Sequence, residues 1–83
     1  MTVNTHNLGE WGRRVKSSVE AVLPAFGQDG SDVTLSEDQY NVVTIEVRGR
    51  SFSFPYEDRA KGIVWMRDEL ISDLIGVYGQ PVR

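Results

Sequence analysis

The sequence predicts an α+β domain with element order α-β-β-β-α, a three-stranded antiparallel meander carrying two helices packed on one face. Three observations carry this expectation. An apolar stripe at helical spacing runs through residues 8–26, strict alternation of apolar and polar side chains fills residues 33–56, and a second helical pattern follows over 58–78. A sheet with one apolar face needs a cover, and two amphipathic helices are at hand to supply it.

The first helix is expected over residues 8–23. Asn7 is a suitable N-cap, and Glu10 stands three residues later, where a capping-box carboxylate belongs. Leu8, Trp11, Val15, Val19 and Val22 follow at intervals of 3, 4, 4 and 3, and Phe26 continues the series. Arg13, Lys16, Ser17 and Glu20 fall on the opposite face. Pro24 disfavours a helical Leu23 and ends the helix there. Gly9 and Gly12 each weaken it by about 1 kcal/mol relative to alanine.

Gln28-Asp29-Gly30-Ser31 reads as a turn, after which Val33 and Leu35 alternate with Asp32, Thr34 and Ser36. Glu37-Asp38-Gln39 reads as a polar turn. Val43, Ile45 and Val47 then alternate with Val42, Thr44, Glu46 and Arg48. A tight turn at Arg48-Gly49-Arg50 leads into Phe52, Phe54 and Tyr56. Connections this short join antiparallel neighbours. The apolar face is then Val33, Leu35, Val43, Ile45, Val47, Phe52 and Phe54, and the first and third strands are the edges.

The second helix is expected over residues 58–78, with Glu57 and Asp58 favoured by the dipole at its start and Gly79 and Pro81 at its stop. Ala60, Ile63, Val64, Leu70, Ile71, Leu74, Ile75 and Tyr78 share one broad face. Two residues interrupt this pattern. Trp65 projects to the far side among Glu69 and Ser72, and Arg67 projects into the apolar arc. A helix packed on two sides would instead make Trp65 core, and a snorkelling stem would account for Arg67.

The chain of 83 residues amounts to one domain spanning 1–83, with 1–7 and 80–83 expected as loose tails. It contains no cysteine, which excludes disulfide scaffolds, thiolate metal sites and cysteine nucleophiles. No apolar run approaches a membrane span and no secretory leader pattern opens the sequence, so a cytoplasmic location and no membrane partner are expected. The net charge is −3, but it is unevenly placed. Residues 28–46 hold five acidic and no basic side chains, while the segments before and after each carry a net +1. Such a block repels phosphate and disfavours a generic nucleic-acid partner.

Catalytic constellations are missing. His6 is the only histidine and lies in the expected N-terminal tail, so no nucleophile–histidine triad and no HExxH motif is supported. Phosphate-cradling GxxxxGK[ST] and GxGxxG signatures are absent, and Asp29-Gly30-Ser31-Asp32 lacks the spacing of a calcium loop. The adjacent carboxylates Glu57-Asp58 and Asp68-Glu69 diverge by about 100° on a helix and do not face each other. No enzymatic activity, cofactor or metal is expected.

The expected function is a small acidic protein-binding module, acting as regulator, inhibitor or adaptor of a larger protein. Antitoxins, immunity proteins and phage-encoded inhibitors are proteins of that kind. Trp65 is the candidate anchor, because an exposed indole is costly and tryptophan is enriched at binding hot spots. Glu69, Ser72 and Arg59 form its rim, and Arg67 is a candidate for a paired arginine in self-association. A homodimer through a sheet edge, or through the outer sheet face near Tyr40, Val42 and Thr44, stays open. The alternative function is double-stranded nucleic-acid binding. Double-stranded RNA-binding domains share the α-β-β-β-α order, and Arg13, Arg14, Lys16, Arg59 and Lys61 would be the phosphate contacts. The acidic turn Glu37-Asp38-Gln39 speaks against it.

Overall fold

The computed structural model describes residues 3–82, which build two helices and a four-stranded mixed sheet. In chain order the elements are β1 (Asn4–His6), α1 (Glu10–Val22), β2 (Val33–Glu37), β3 (Val43–Val47), β4 (Arg50–Phe54) and α2 (Gly62–Tyr78). Short 3-10 segments, Leu23–Phe26 and Tyr56–Lys61, follow α1 and precede α2. The strands lie in the order β1-β2-β3-β4. The last three form the expected antiparallel meander, with Leu35 opposite Ile45 and Ile45 opposite Phe52.

That register places Val33, Leu35, Val43, Ile45, Val47 and Phe54 on one buried face, with Phe52 half-buried beside them. Trp11, Val15, Val19 and Val22 of α1 and Met66, Leu70 and Leu74 of α2 close over it in a single core cluster. The β3–β4 hairpin turns on two residues only, Arg48 at φ +50° and Gly49 at φ +79°, the double positive φ that matches the strand twist. Arg50 therefore opens β4 rather than belonging to the turn. Among the described residues no helix is long and apolar enough to cross a membrane.

The N-terminal segment corrects the expectation of a loose tail. Residues 4–6 pair in parallel with Thr34, Leu35 and Ser36 of β2, so β2 is an interior strand and the sheet edges are β1 and β4. The Asn4 amide donates to the carbonyls of Ser31 and Val33, each at 3.3 Å, and Val3 packs against the core over Gly30. Gly30 has φ +88°, and a Cβ there would stand 2.7 Å from Val3 Cγ1. At the other end the Val82 amide donates to the Ala25 carbonyl at 2.7 Å. Met1, Thr2 and Arg83, which the expected tails include, lie outside the described residues.

Helix α1 starts at Glu10 with Gly9 as N-cap, not at Leu8 behind an Asn7 cap, and Asn7 takes φ +56°. Its orphan amides are satisfied from the sheet. Glu37 has the same strand parity as Val33 and Leu35, so its carboxylate points toward the helices, where it is 9% exposed. One oxygen, Oε1, accepts the amides of Gly9 at 2.7 Å and Gly12 at 2.9 Å, while Oε2 accepts Asn41 Nδ2 at 2.9 Å. The anion meets the positive end of the helix dipole there. Gly12 makes the approach possible, since a Cβ at that position would lie 2.5 Å from Glu37 Oε1.

Helix α2 also departs from expectation. Gly62, at φ +88° and ψ 169°, breaks the chain between the 3-10 segment and the α-helix, so residues 58–61 are not its first turn. Its buried stripe is Met66, Leu70 and Leu74. Ala60, Ile63 and Val64, expected in the core-facing set, are exposed, and Arg67 is exposed rather than set in the apolar arc. The C-terminal end is fastened to the sheet: the Tyr78 hydroxyl donates to Asp32 Oδ1 and Arg48 Nε donates to Asp32 Oδ2, both at 2.9 Å. Burial first, and then this hydrogen bond, push the Tyr78 phenol well above its ordinary value, so the ring stays a donor.

Candidate functional site

The fold brings four side chains together where α1 and α2 begin. Trp11, in the first turn of α1, is 2% exposed, and its indole N–H donates to the Phe54 carbonyl at 2.9 Å. That bond ties the ring to the end of β4. Tyr56 follows immediately after Pro55, and its ring meets Trp11 edge-on with centroids 6.1 Å apart and planes at 80°. One turn beyond Trp11, the Arg14 guanidinium lies 6.0 Å from the indole centroid. On the other side the Arg59 guanidinium lies 3.8 Å from the Tyr56 ring, and its Nη1 donates to the Tyr56 carbonyl at 3.1 Å. Two cations thus flank an aromatic pair, each over a ring face.

Between them runs a groove of about 140 Å³. Trp11 and Met66 supply its apolar floor, Ser17 and the buried Ser18 one wall, and Gly62 and Ile63 the other. Ile63, Met66, Leu70 and Leu74 form one stripe at intervals of 3, 4 and 4. The last three are core, but Ile63 overhangs the end of the core and is 54% exposed in the groove wall. Its neighbour Val64 is 71% exposed, so two aliphatic side chains stand open at the same helix start.

Of the arginines without a carboxylate partner among the described residues, which are Arg13, Arg14, Arg50, Arg59 and Arg67, Arg14 and Arg59 are the two that line the groove. The ion pairs among the described residues are Lys16 with Glu20 at 3.5 Å, Arg48 with Asp32 at 2.9 Å and Lys61 with Asp58 at 3.3 Å. Arg14 and Arg59 have no carboxylate partner among them. The groove lining holds hydroxyls but no imidazole and no carboxylate. His6 sits on β1, the sheet edge opposite the β4 strand that holds Trp11. No group of three or more metal-ligating side chains occurs among the described residues.

Of the residues proposed from sequence as a partner site, only Arg59 lines this groove. The outward indole is a correction. Trp65 is half-buried, edge-on to Phe54 at 6.3 Å and 77°, with the Lys61 ammonium 4.4 Å from its ring centroid. The cause is the sheet edge: β4 leaves Phe54 and Phe52 without a further strand beside them, and the indole covers that flank. Glu69 and Ser72 are exposed on Trp65's side of the helix, spaced 4 and 3 along it, and Arg67 is exposed on another. Burial and the neighbouring Glu69 push the Asp73 carboxyl above its ordinary value.

The five cations proposed for nucleic acid are likewise dispersed. Arg14 and Arg59 share the groove, Arg13 donates to the Leu8 carbonyl at 3.4 Å, and Lys16 and Lys61 are engaged in ion pairs. The groove residues that the sequence reading does not propose as a site are Trp11, Ser17, Ser18, Gly62, Ile63 and Met66, and it misses Tyr56 against Trp11 beside them. Trp11 reads as core there, and nothing local reveals that Tyr56 folds back onto it. No family model, curated protein or solved structure matches the chain.

Proposed function

We propose that this protein is a binding module without chemistry of its own, a regulator, inhibitor or adaptor that docks a larger protein at the end where α1 and α2 begin. The observation that carries the reading is the exposed pair Ile63 and Val64 beside a groove flanked by two guanidiniums without carboxylate partners. The fold leaves much of Ile63 and Val64 in water, and covering that apolar surface yields roughly 25 cal/mol per Å². Arginine and aromatic side chains set around a small pocket are the composition of binding hot spots.

Groove size supports a protein ligand over a small-molecule substrate. Cofactor and substrate sites usually span about 300–1,000 Å³, against about 140 Å³ here. A cavity of about 150 Å³ accommodates a benzene-sized group, so this groove takes one side chain. Duplex nucleic acid has weaker support, because Lys16 and Lys61 are held in ion pairs and the other cations do not form one stripe.

The test is affinity capture from the native host with the wild-type chain and an Ile63→Asp/Val64→Asp variant side by side. Both positions are solvent-exposed, so the variant keeps its melting temperature within about 3 °C. A stoichiometric protein retained by the wild type and lost from the variant is the expected result. Equal retention by both chains overturns the placement of the docking face.

A further inference from the structure

Resting on that docking face, we infer that its occupant is an acidic segment of a partner protein that seats one large apolar side chain in the groove and aims flanking carboxylates at Arg14 and Arg59. The apolar part of this assignment follows from the floor and the volume. Trp11, Met66 and Ile63 offer carbon surface to something the size of a leucine or phenylalanine side chain.

The acidic part follows from how the guanidiniums are held. Each lies near an aromatic ring face, Arg59 at 3.8 Å and Arg14 at 6.0 Å. A guanidinium that meets a ring through its own face keeps its in-plane N–H donors free at the edge. Arg59 uses one nitrogen on the Tyr56 carbonyl, and Arg14 has no hydrogen-bond acceptor among the described residues' side-chain bonds to the backbone or to carboxylates. In a chain with 12 acidic side chains and net charge −3, no carboxylate answers these two arginines. The donors are therefore available for bidentate carboxylate recognition from outside. The Tyr56 ring at 3.8 Å and the bond to the Tyr56 carbonyl limit the motion of Arg59 and so lower the entropy lost on binding.

The same geometry favours a peptide over a nucleic acid. A phosphate backbone needs a track of cations, whereas here the nearby lysines are paired and the groove itself is lined by two arginines alone. Ile63 in the groove wall and Val64 beside it offer no hydrogen bond to a base edge, which leaves Ser17 as the exposed hydroxyl of the lining.

The experiment is an amide NMR titration of the full chain with three probes. They are the acetylated, amidated peptide Glu-Asp-Phe-Asp-Glu, its counterpart Ser-Ser-Phe-Ser-Ser, and a thymidine pentanucleotide. The acidic peptide is expected to move the amides of Ser17, Ser18, Gly62 and Ile63 and the Trp11 indole N–H saturably, with a Kd tighter than about 1 mM. Replacing the pair as Arg14→Gln/Arg59→Gln is expected to weaken that binding about tenfold or more, with the amide spectrum elsewhere unchanged as the check on folding. Failure of the acidic peptide to move these resonances overturns the inference. Equal binding of the serine peptide at the same amides overturns the acidic assignment and leaves the docking face standing. Binding of the pentanucleotide there, with neither peptide bound, overturns both.

Discussion

Removing the Glu37 carboxylate is the sharpest test of how the fold is held. Oε1 accepts the Gly9 and Gly12 amides at 2.7 and 2.9 Å, and Oε2 accepts Asn41 at 2.9 Å, so one side chain from β2 caps α1 and fixes the turn after the strand. Loss of a helix cap costs about 1 kcal/mol, and an anion at a partly buried helix N-terminus contributes a further ~1–2 kcal/mol. Glu37→Ala is therefore expected to lose about 2–3 kcal/mol. For a domain of this size that lowers the melting temperature by about 10–20 °C. Glu37→Gln keeps a carbonyl for the two amides but discards the charge, and is expected to lose about 1 kcal/mol. Urea unfolding followed by circular dichroism at pH 7 measures both variants. Hydrogen exchange at Gly9 and Gly12 locates the effect. A loss below about 0.5 kcal/mol for Glu37→Ala, the range of an ordinary surface substitution, would mean that the carboxylate does not hold the start of α1.

Three other outcomes follow from the packing. Gly12→Ala is expected to destabilise by about 1–2 kcal/mol in urea although alanine is the better helix former by about 1 kcal/mol. The added Cβ would meet Glu37 Oε1 at 2.5 Å and Leu8 Cδ2 at 2.8 Å. Trp65→Ala is expected to cost about 2 kcal/mol, roughly half of a full core truncation, because the indole is half-buried on Phe54; an unchanged melting temperature would return the ring to solvent. Asp73 has a raised pKa, so its folded form holds the proton to higher pH than the unfolded chain does, and its contribution to stability is lost as pH rises through the folded value. Asp73→Asn is thus expected to be slightly more stable than wild type at pH 7, by a margin that solvent screening keeps within the range of an ordinary surface substitution, with the difference vanishing below the ordinary carboxylate range.

What the sequence discloses is what repeats locally. Trp11, Val15, Val19 and Val22 keep a helical interval, and Val33, Leu35, Val43, Ile45 and Val47 keep a strand interval, and all of them are core. Strand β1 is polar along its whole length, Asn-Thr-His, and pairs with residues thirty positions further on, so no local pattern marks it. Glu37 is a different case. Its parity with Val33 and Leu35 is visible, but its turn-like neighbours Asp38 and Gln39 point to a loop, and only the position of α1 shows what the carboxylate caps. In α2 apolar residues occur round most of the helix, so spacing alone does not fix its rotation. The flank of β4 decides it, and with it the burial of Trp65. Arg14 and Arg59 are legible as exposed cations, yet their meeting across the Trp11–Tyr56 pair depends on contacts more than forty residues apart in the chain.

The proposed docking face puts a partner where the two helices begin. Photo-crosslinking measures this directly, with benzoylphenylalanine placed at Ile63 in the groove wall or at Glu46 on the exposed side of β3, in host cells. One discrete adduct from position 63, and none from position 46, is the predicted result. Adducts from position 46 with none from position 63 would place the partner on the outer sheet face instead.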